Sequence, residues 1–234
     1  MIEITSLKKV YKKVTVLDVP ELTIHRGECF GLVGNNGAGK TTLYRIMLDL
    51  VRATEGHVLI EGIDVSKDEN WKHRVGSYLD EHMLLMYLTP TEYFETLRKI
   101  YHLSFEDVNI HLEKFRELFN DEILNNKKLI RDLSKGNLKK VGIASAMLAN
   151  PDVVILDEPF ENLDPSSQSR LKKLIIKDRE LRNTTFLISS HDLAHVTEIC
   201  DRIVLLEKGK VIKDLKESRD EMASTLNEYF IGIN

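Results

Sequence analysis

No stretch of the 234-residue sequence approaches the ~18–20 consecutive apolar residues that a membrane helix requires. Met83 to Leu88 is apolar but six residues long, and Val153 to Leu156 is shorter still. A basic block is also missing: 33 Lys and Arg stand against 37 Asp and Glu, spread along the chain with net charge −4. That balance argues against a nucleic-acid or anionic-membrane surface. Only two cysteines occur, Cys29 and Cys200, far apart inside apolar-patterned segments. They suit reduced core thiols better than a disulfide or a metal site. The opening Met-Ile-Glu-Ile-Thr is neither basic nor strongly apolar, so no secretory signal is expected. Internal repeats and low-complexity stretches are absent. These absences lead to the expectation of a soluble, cytosolic chain.

What is present is a well-mixed globular composition, 42% hydrophobic and 30% charged. At about 150 residues per domain, the length suits one large domain or a core with an attached lobe. Short strands are expected at Ile2–Thr5, Glu21–Ile24 and Cys29–Val33, then a glycine-rich turn and a helix with Leu43, Ile46, Met47 and Leu50 on one face. His57–Ile60 and Val75–Leu79 read as two more strands. From about residue 88 the period turns helical. Thr89-Pro90-Thr91-Glu92 supplies an N-cap, a proline at N1 and a glutamate at N3. Tyr93, Phe94, Leu97, Ile100 and Tyr101 follow at helical spacing, and Val108, Leu112, Phe115 and Leu118 mark a second helix. Asn125 to Lys128 reads as a loop.

After residue 150 the strands return as continuous apolar runs at Val153–Leu156, Phe186–Ile188 and Ile203–Leu206, the pattern of a parallel sheet covered on both faces. Asp164-Pro165 opens a helix between the first two, and Glu207 to Lys210 reads as a hairpin turn. The expected fold class is therefore α/β: a phosphate-loop core with a mixed or parallel sheet, an N-terminal antiparallel β region and an inserted helical lobe. Residues 1–87 and 151–234 form the core, and 88–150 the lobe.

Three elements carry chemistry. Gly34-Asn35-Asn36-Gly37-Ala38-Gly39-Lys40-Thr41 fits G-x-x-x-x-G-K-[ST] between a strand and a helix, where backbone N–H groups and the helix dipole converge on phosphate oxygens. Lys40 is expected to reach the β- and γ-phosphates and Thr41 to offer its hydroxyl to Mg²⁺, with Thr42 beside it among the nucleotide-binding residues. Val153 to Leu156 ends in Asp157-Glu158, where Asp157 would hold Mg²⁺ and Glu158 would act as general base. Asn126-Lys127-Lys128 continues with Leu129, so the guanine-reading Asn-Lys-x-Asp is absent and ATP is favoured over GTP. Leu133-Ser134-Lys135-Gly136-Asn137 is the third element. Ser134 caps a helix starting near Lys135, which makes a second anion site with no ligand of its own in the chain.

In this order, the three elements resemble the nucleotide-binding subunit of an ABC (ATP-binding cassette) transporter. The resemblance implies two cassettes that sandwich two ATP molecules head to tail, with Ser134 and Gly136 receiving the partner's γ-phosphate. It places Tyr11 where an aromatic ring stacks on adenine. Asp164, in Asn162-Leu163-Asp164, would reach across the dimer, and His191 would contact the γ-phosphate and orient Glu158. Met83 to Leu88 would receive a short helix from the membrane subunit, or serve the lobe's own core. The sequence departs from the commonest Leu-Ser-Gly-Gly-Gln at Lys135 and Asn137, a form familiar from export systems. Asp80 falls where the family usually has a glutamine that touches Mg²⁺ and the attacking water, with Glu81 as the alternative occupant. The other seven histidines show no ligand spacing.

The resemblance implies an ATPase with ATP and Mg²⁺ as cofactors, peripheral on the inner face of the cell membrane. Its implied partners are transmembrane permease subunits and a second nucleotide-binding subunit, with no nucleic acid. The rival readings are a soluble cassette ATPase acting on DNA or ribosomes, and a module that holds ATP without turnover.

Overall fold

The computed structural model describes residues 1–124 and 127–231. In chain order its elements are β1 (Ile2–Tyr11), β2 (Val14–Ile24), β3 (Cys29–Val33), α1 (Lys40–Met47), β4 (Glu55–Ile60), β5 (Ile63–Asp64), β6 (Val75–Tyr78), α2 (Pro90–Ile100), α3 (Phe105–Lys114), α4 (Arg116–Phe119), α5 (Lys135–Ala146), β7 (Val153–Leu156), α6 (Pro165–Arg182), β8 (Thr185–Ser190), α7 (Leu193–Ile199), β9 (Arg202–Glu207), β10 (Lys210–Leu215) and α8 (Arg219–Ile231). Short 3₁₀ turns sit at Asn70–Arg74, Glu81–Met83 and Ile130–Asp132. Asn125 and Asn126 of the expected loop lie outside the described residues.

Two sheets form. The first, ordered β2-β1-β4-β5, is antiparallel; the second runs β10-β9-β3-β8-β7-β6. Its members β9, β3, β8, β7 and β6 are parallel neighbours, with β10 added antiparallel at the edge. Alternation along these strands sorts the core into two. Phe30, Leu32, Val153, Ile155, Leu187, Val204 and Leu206 face the antiparallel sheet and α1. Cys29, Val33, Val154, Leu156, Phe186, Ile188, Ile203 and Leu205 face the helices, including those between β6 and β7. Burial on both faces is why these strands read as unbroken apolar runs.

Several expectations change in detail. The two N-terminal strands extend into a long hairpin, turned at Lys12 and Lys13 with φ +45° and +72°. Helix α1 stops at Met47, so Leu50 lies beyond it and is 58% exposed. The second helix of the inserted segment breaks at Phe115 into α3 and α4. Both α2 and α3 open with complete capping boxes, Thr89 with Glu92 and Ser104 with Asp107. Cys29 and Cys200, remote in sequence, meet in the core as free thiols with Sγ atoms 3.8 Å apart. None of the described helices is long and apolar enough to cross a membrane.

His111 on α3 is buried against Phe115 and hydrogen-bonds the Ala144 carbonyl through Nε2 at 2.8 Å. Burial drives its pKa down from 6.5 to about 4, with Lys114 and Arg182 adding to the effect and the Ala144 carbonyl opposing it. Because the folded value is depressed, the unfolded chain binds the extra proton. Stability is therefore full above pH 6.5 and is lost as pH falls towards 4. The loss through this one group is on the order of 3 kcal/mol. Urea unfolding at pH 7 and pH 4.5 checks this: His111→Gln is expected to flatten the pH dependence, and an unchanged slope would contradict it.

Candidate functional site

The parallel strands deliver the site to one edge of the sheet. In register, Leu32 and Val33 of β3 pair with Ser189 and Ser190 of β8, while Leu156 of β7 pairs with Ile188. The residues just beyond each strand, Gly34, Asp157 and His191, therefore emerge side by side at the carboxyl ends, where open α/β sheets bind ligands.

The phosphate loop turns from β3 into α1. Its sharpest backbone is Gly39, with φ +110° at the N-cap of α1. A side chain there would be strained and would crowd the Val16 carbonyl at 3.1 Å. Gly39 offers no side-chain cap, so the first N–H groups of α1 are left for a ligand. Lys40 is 6% exposed and folds back over the loop, donating to the Gly34 carbonyl at 2.6 Å. Its ammonium also lies 3.3 Å from Glu158 Oε1.

The two carboxylates after β7 have different surroundings. Asp157 is buried and accepts from Thr41 Oγ1 at 2.5 Å and from the Ser189 hydroxyl. Burial pushes its pKa up, and the Ser189 and Thr41 hydrogen bonds oppose the rise. Glu158 adopts φ +48°, uncommon for a residue with a side chain. Its N–H donates to Ser189 Oγ at 2.9 Å, and its carbonyl accepts from Lys139 Nζ at 2.5 Å. Oε2 lies 2.9 Å from His191 Nδ1 and accepts from the His191 N–H at 3.2 Å. Oε1 is buried and has no hydrogen bond, only the ammonium of Lys40 nearby. One carboxylate is thus tied down by hydroxyls, and the other keeps an oxygen poised.

A second hollow lies at the start of α5, with a volume of about 580 Å³. Ser134, Gly136, Asn137, Lys140, Asn162 and Asp164 are among its lining residues, and the phosphate loop is not. Ser134 caps α5 by accepting from the Asn137 N–H at 3.2 Å. Gly136 is required here, since a Cβ would stand 2.7 Å from the Asn162 carbonyl. Asp164 accepts from the Ser166 and Ser167 N–H groups, both at 3.0 Å, and from both hydroxyls. Those bonds hold its carboxyl well below the usual range.

The structure thus brings Lys40, Thr41, Asp157, Glu158 and His191 together, and Ser134, Gly136 and Asp164 into a separate hollow. Tyr11 is 45% exposed at the end of β1, with Lys9 Nζ 4.6 Å over its ring. Asp80 turns to Arg45 of α1: Oδ2 accepts from the guanidinium at 3.2 Å, and Oδ1 from the His82 N–H at 2.9 Å. Met83 and Leu85 are exposed and Tyr87 is 77% exposed, while Leu84 is buried in the core. Three residues that the sequence did not single out belong to this geometry: Ser189, Lys139 and Arg45. Ser189-Ser190 follows the apolar run Phe186 to Ile188 just before His191, a polar signal that could have been read.

A family model described as "ABC transporter" matches residues 17–161. The chain is 34% identical over 235 residues to an uncharacterized ABC transporter ATP-binding protein of Nostoc, covering 97% of this chain and 69% of that protein. It is 32% identical over 232 residues to the ABC transporter ATP-binding protein NatA of Bacillus subtilis, covering 96% and 92% respectively. A solved dimeric ATP-binding cassette, in a post-hydrolysis state bound to ADP and Pi, matches with a TM-score of 0.81 at 27% identity, covering 92% of this chain and 98% of that one.

Proposed function

The chain belongs to the ABC transporter family, and from that membership we propose how its residues share the work of ATP hydrolysis. It is the ATP-binding, ATP-hydrolysing subunit of a transporter. The observation that carries the assignment of roles is the convergence of Lys40, Thr41, Asp157, Glu158 and His191 at one sheet edge.

ATP would lay its phosphates on the loop from Gly34 to Thr42, with the N–H groups of Asn35, Asn36, Gly37 and Gly39 available to them, Ala38 closing the loop by its bond to the Asn35 carbonyl at 3.0 Å, and Tyr11 beside the adenine. A phosphate there would draw the Lys40 ammonium away from Glu158, leaving Oε1 free to accept a proton. Glu158 would then take a proton from water as the water oxygen bonds to the γ-phosphorus and the bond to the β-phosphate oxygen breaks. ADP and inorganic phosphate are the products. His191, fixed on Oε2, would hold the carboxylate in line.

Thr41 and Asp157 suit Mg²⁺: a hydroxyl and a carboxylate in contact, both hard oxygen donors, with remaining positions left to phosphate oxygens and water. Bound there, the ion would neutralise phosphate charge. Asp80 would join it only by leaving Arg45. That exposed pair is worth at most about 1 kcal/mol, so exchange is cheap. Asp80→Asn is expected to raise the Mg²⁺ concentration for half-maximal ATPase, Arg45→Met to lower it, and Glu81→Gln to leave it alone. An effect confined to Glu81→Gln would move the role to that residue.

The division into a core of 1–87 and 151–234 and a helical lobe of 88–150 belongs to this proposal. Membrane attachment would come through separate transmembrane subunits seated near Met83, Leu85 and Tyr87. Two copies would pair head to tail, so that Ser134, Gly136 and Asp164 of each close on the nucleotide of the other. The Glu158→Gln variant tests the hydrolytic assignment: nucleotide binding without turnover is the expected result.

A further inference from the structure

Lys139 stands on α5, five residues after Ser134, and is only 9% exposed. A buried ammonium is costly unless partners satisfy it. Here Nζ donates to the main-chain carbonyl of Glu158 at 2.5 Å and faces the Glu161 carboxylate at 3.7 Å. Burial lowers the Lys139 pKa, and the negative charges of Glu161, Glu158 and Asp157 oppose that shift.

The carbonyl it holds belongs to the one residue of the acidic pair with left-handed backbone, φ +48°. Three side chains clamp Glu158 there, Ser189 at the N–H, His191 at the carboxylate and Lys139 at the carbonyl, and the carbonyl also accepts from the Glu161 N–H at 3.3 Å. The first two come from β8 and the residue after it, so they move with the sheet. Lys139 alone of the three comes from the helix that Ser134 caps. Without it, the Glu158 carbonyl retains the longer bond from the Glu161 N–H at 3.3 Å, the peptide after Glu158 turns more readily, φ can relax towards the commoner negative region, and the carboxylate swings with it.

We propose that Lys139 is a positioning residue: through its bond to the Glu158 carbonyl, the helix capped by Ser134 fixes the backbone conformation that aims the Glu158 carboxylate at the attacking water. The inference rests on the reading of Glu158 as general base. It also gives α5 two tasks on one rigid element. The helix presents Ser134 to the second chain's nucleotide, and it sets this chain's own base.

The test uses the purified full chain, with steady-state ATPase, nucleotide binding and thermal melting for each variant. Lys139→Met removes the donor and keeps an unbranched stem. It is expected to lower kcat about tenfold or more while KM and nucleotide affinity stay within about twofold, the signature of a misplaced group and not of lost binding. Lys139→Arg should restore most of kcat, and Glu161→Gln should leave it nearly unchanged. Lys139→Gln keeps an uncharged donor on a shorter stem and should give an intermediate kcat, so a folding defect in Lys139→Met cannot hide the answer. In single turnover on a Glu158→Gln background, Lys139→Met should cause no further loss, because its route runs through that carboxylate. Wild-type kcat in Lys139→Met and Lys139→Gln would overturn the proposal. So would an equal loss with and without the Glu158 carboxylate, which would make Lys139 a packing residue. Wild-type turnover in Glu158→Gln alone would remove the base reading on which the proposal rests.

Discussion

Glu158→Gln is expected to leave ATP bound and to cut turnover by about 10²-fold or more, the range for loss of a general base. The substitution keeps the shape of the side chain and the bonds on its backbone from Ser189, Lys139 and the Glu161 N–H. It replaces a carboxylate, which accepts at either oxygen, with an amide that accepts at one atom and only donates at the other. The atom at stake is Oε1, buried, without a hydrogen bond and 3.3 Å from Lys40. Phosphate contacts through Lys40 and the loop N–H groups are untouched, so affinity should hold. Steady-state phosphate release and equilibrium nucleotide binding, measured on the same preparation, check both halves. Turnover near wild type would take Glu158 out of the base role.

Lys40→Ala and Ser134→Arg should both abolish turnover, but for separable reasons. Lys40→Ala removes a charge-assisted contact to phosphate from within the chain's own loop, so nucleotide affinity of the monomer should fall by about tenfold or more. Ser134→Arg acts in the other hollow, whose lining does not include the phosphate loop. It removes the α5 cap and fills the space between Gly136 and Asp164 with a long side chain, so monomer affinity should stay close to wild type while turnover is lost. Titration of each variant with a fluorescent ATP analogue, beside the ATPase assay, separates the two. If Ser134→Arg weakens monomer binding as much as Lys40→Ala does, both residues serve one chain's site and the head-to-tail arrangement fails.

Much of the site was legible because its chemistry fixes residue types at fixed spacing. A phosphate loop needs glycine where the backbone turns left-handed, as at Gly39, and a lysine and a hydroxyl at the helix start. The acidic pair after β7 and the caps at Thr89, Ser134 and Asp164 are local signals, and each was read from a few adjacent residues. What escaped was non-local or unsignalled. The β1–β2 hairpin turns at Lys12-Lys13, two positive-φ residues with no glycine or asparagine to mark them. A lysine on a helix ordinarily reads as solvated, so nothing in the pattern around Lys139 announces a buried contact with a residue 19 positions away. The pairing of Arg45 with Asp80 spans 35 positions, and that of Cys29 with Cys200 spans 171; only the assembled sheet brings such groups together. The carboxylate of Asp80 was placed by resemblance, and the structure shows that it has a competing partner.

Mixing two inactive variants tests most directly whether each hydrolytic site is built from two chains. Lys40→Ala keeps Ser134, and Ser134→Arg keeps Lys40. In a mixed head-to-tail dimer one site receives both defects and the other receives neither. Equimolar mixing of the two purified chains, each inactive alone, should therefore restore ATPase activity, on the order of a quarter of wild type if pairing is random and each mixed dimer holds one of two sites. A mixture as inactive as its components, at concentrations where wild type is fully active, would contradict a site built from two chains.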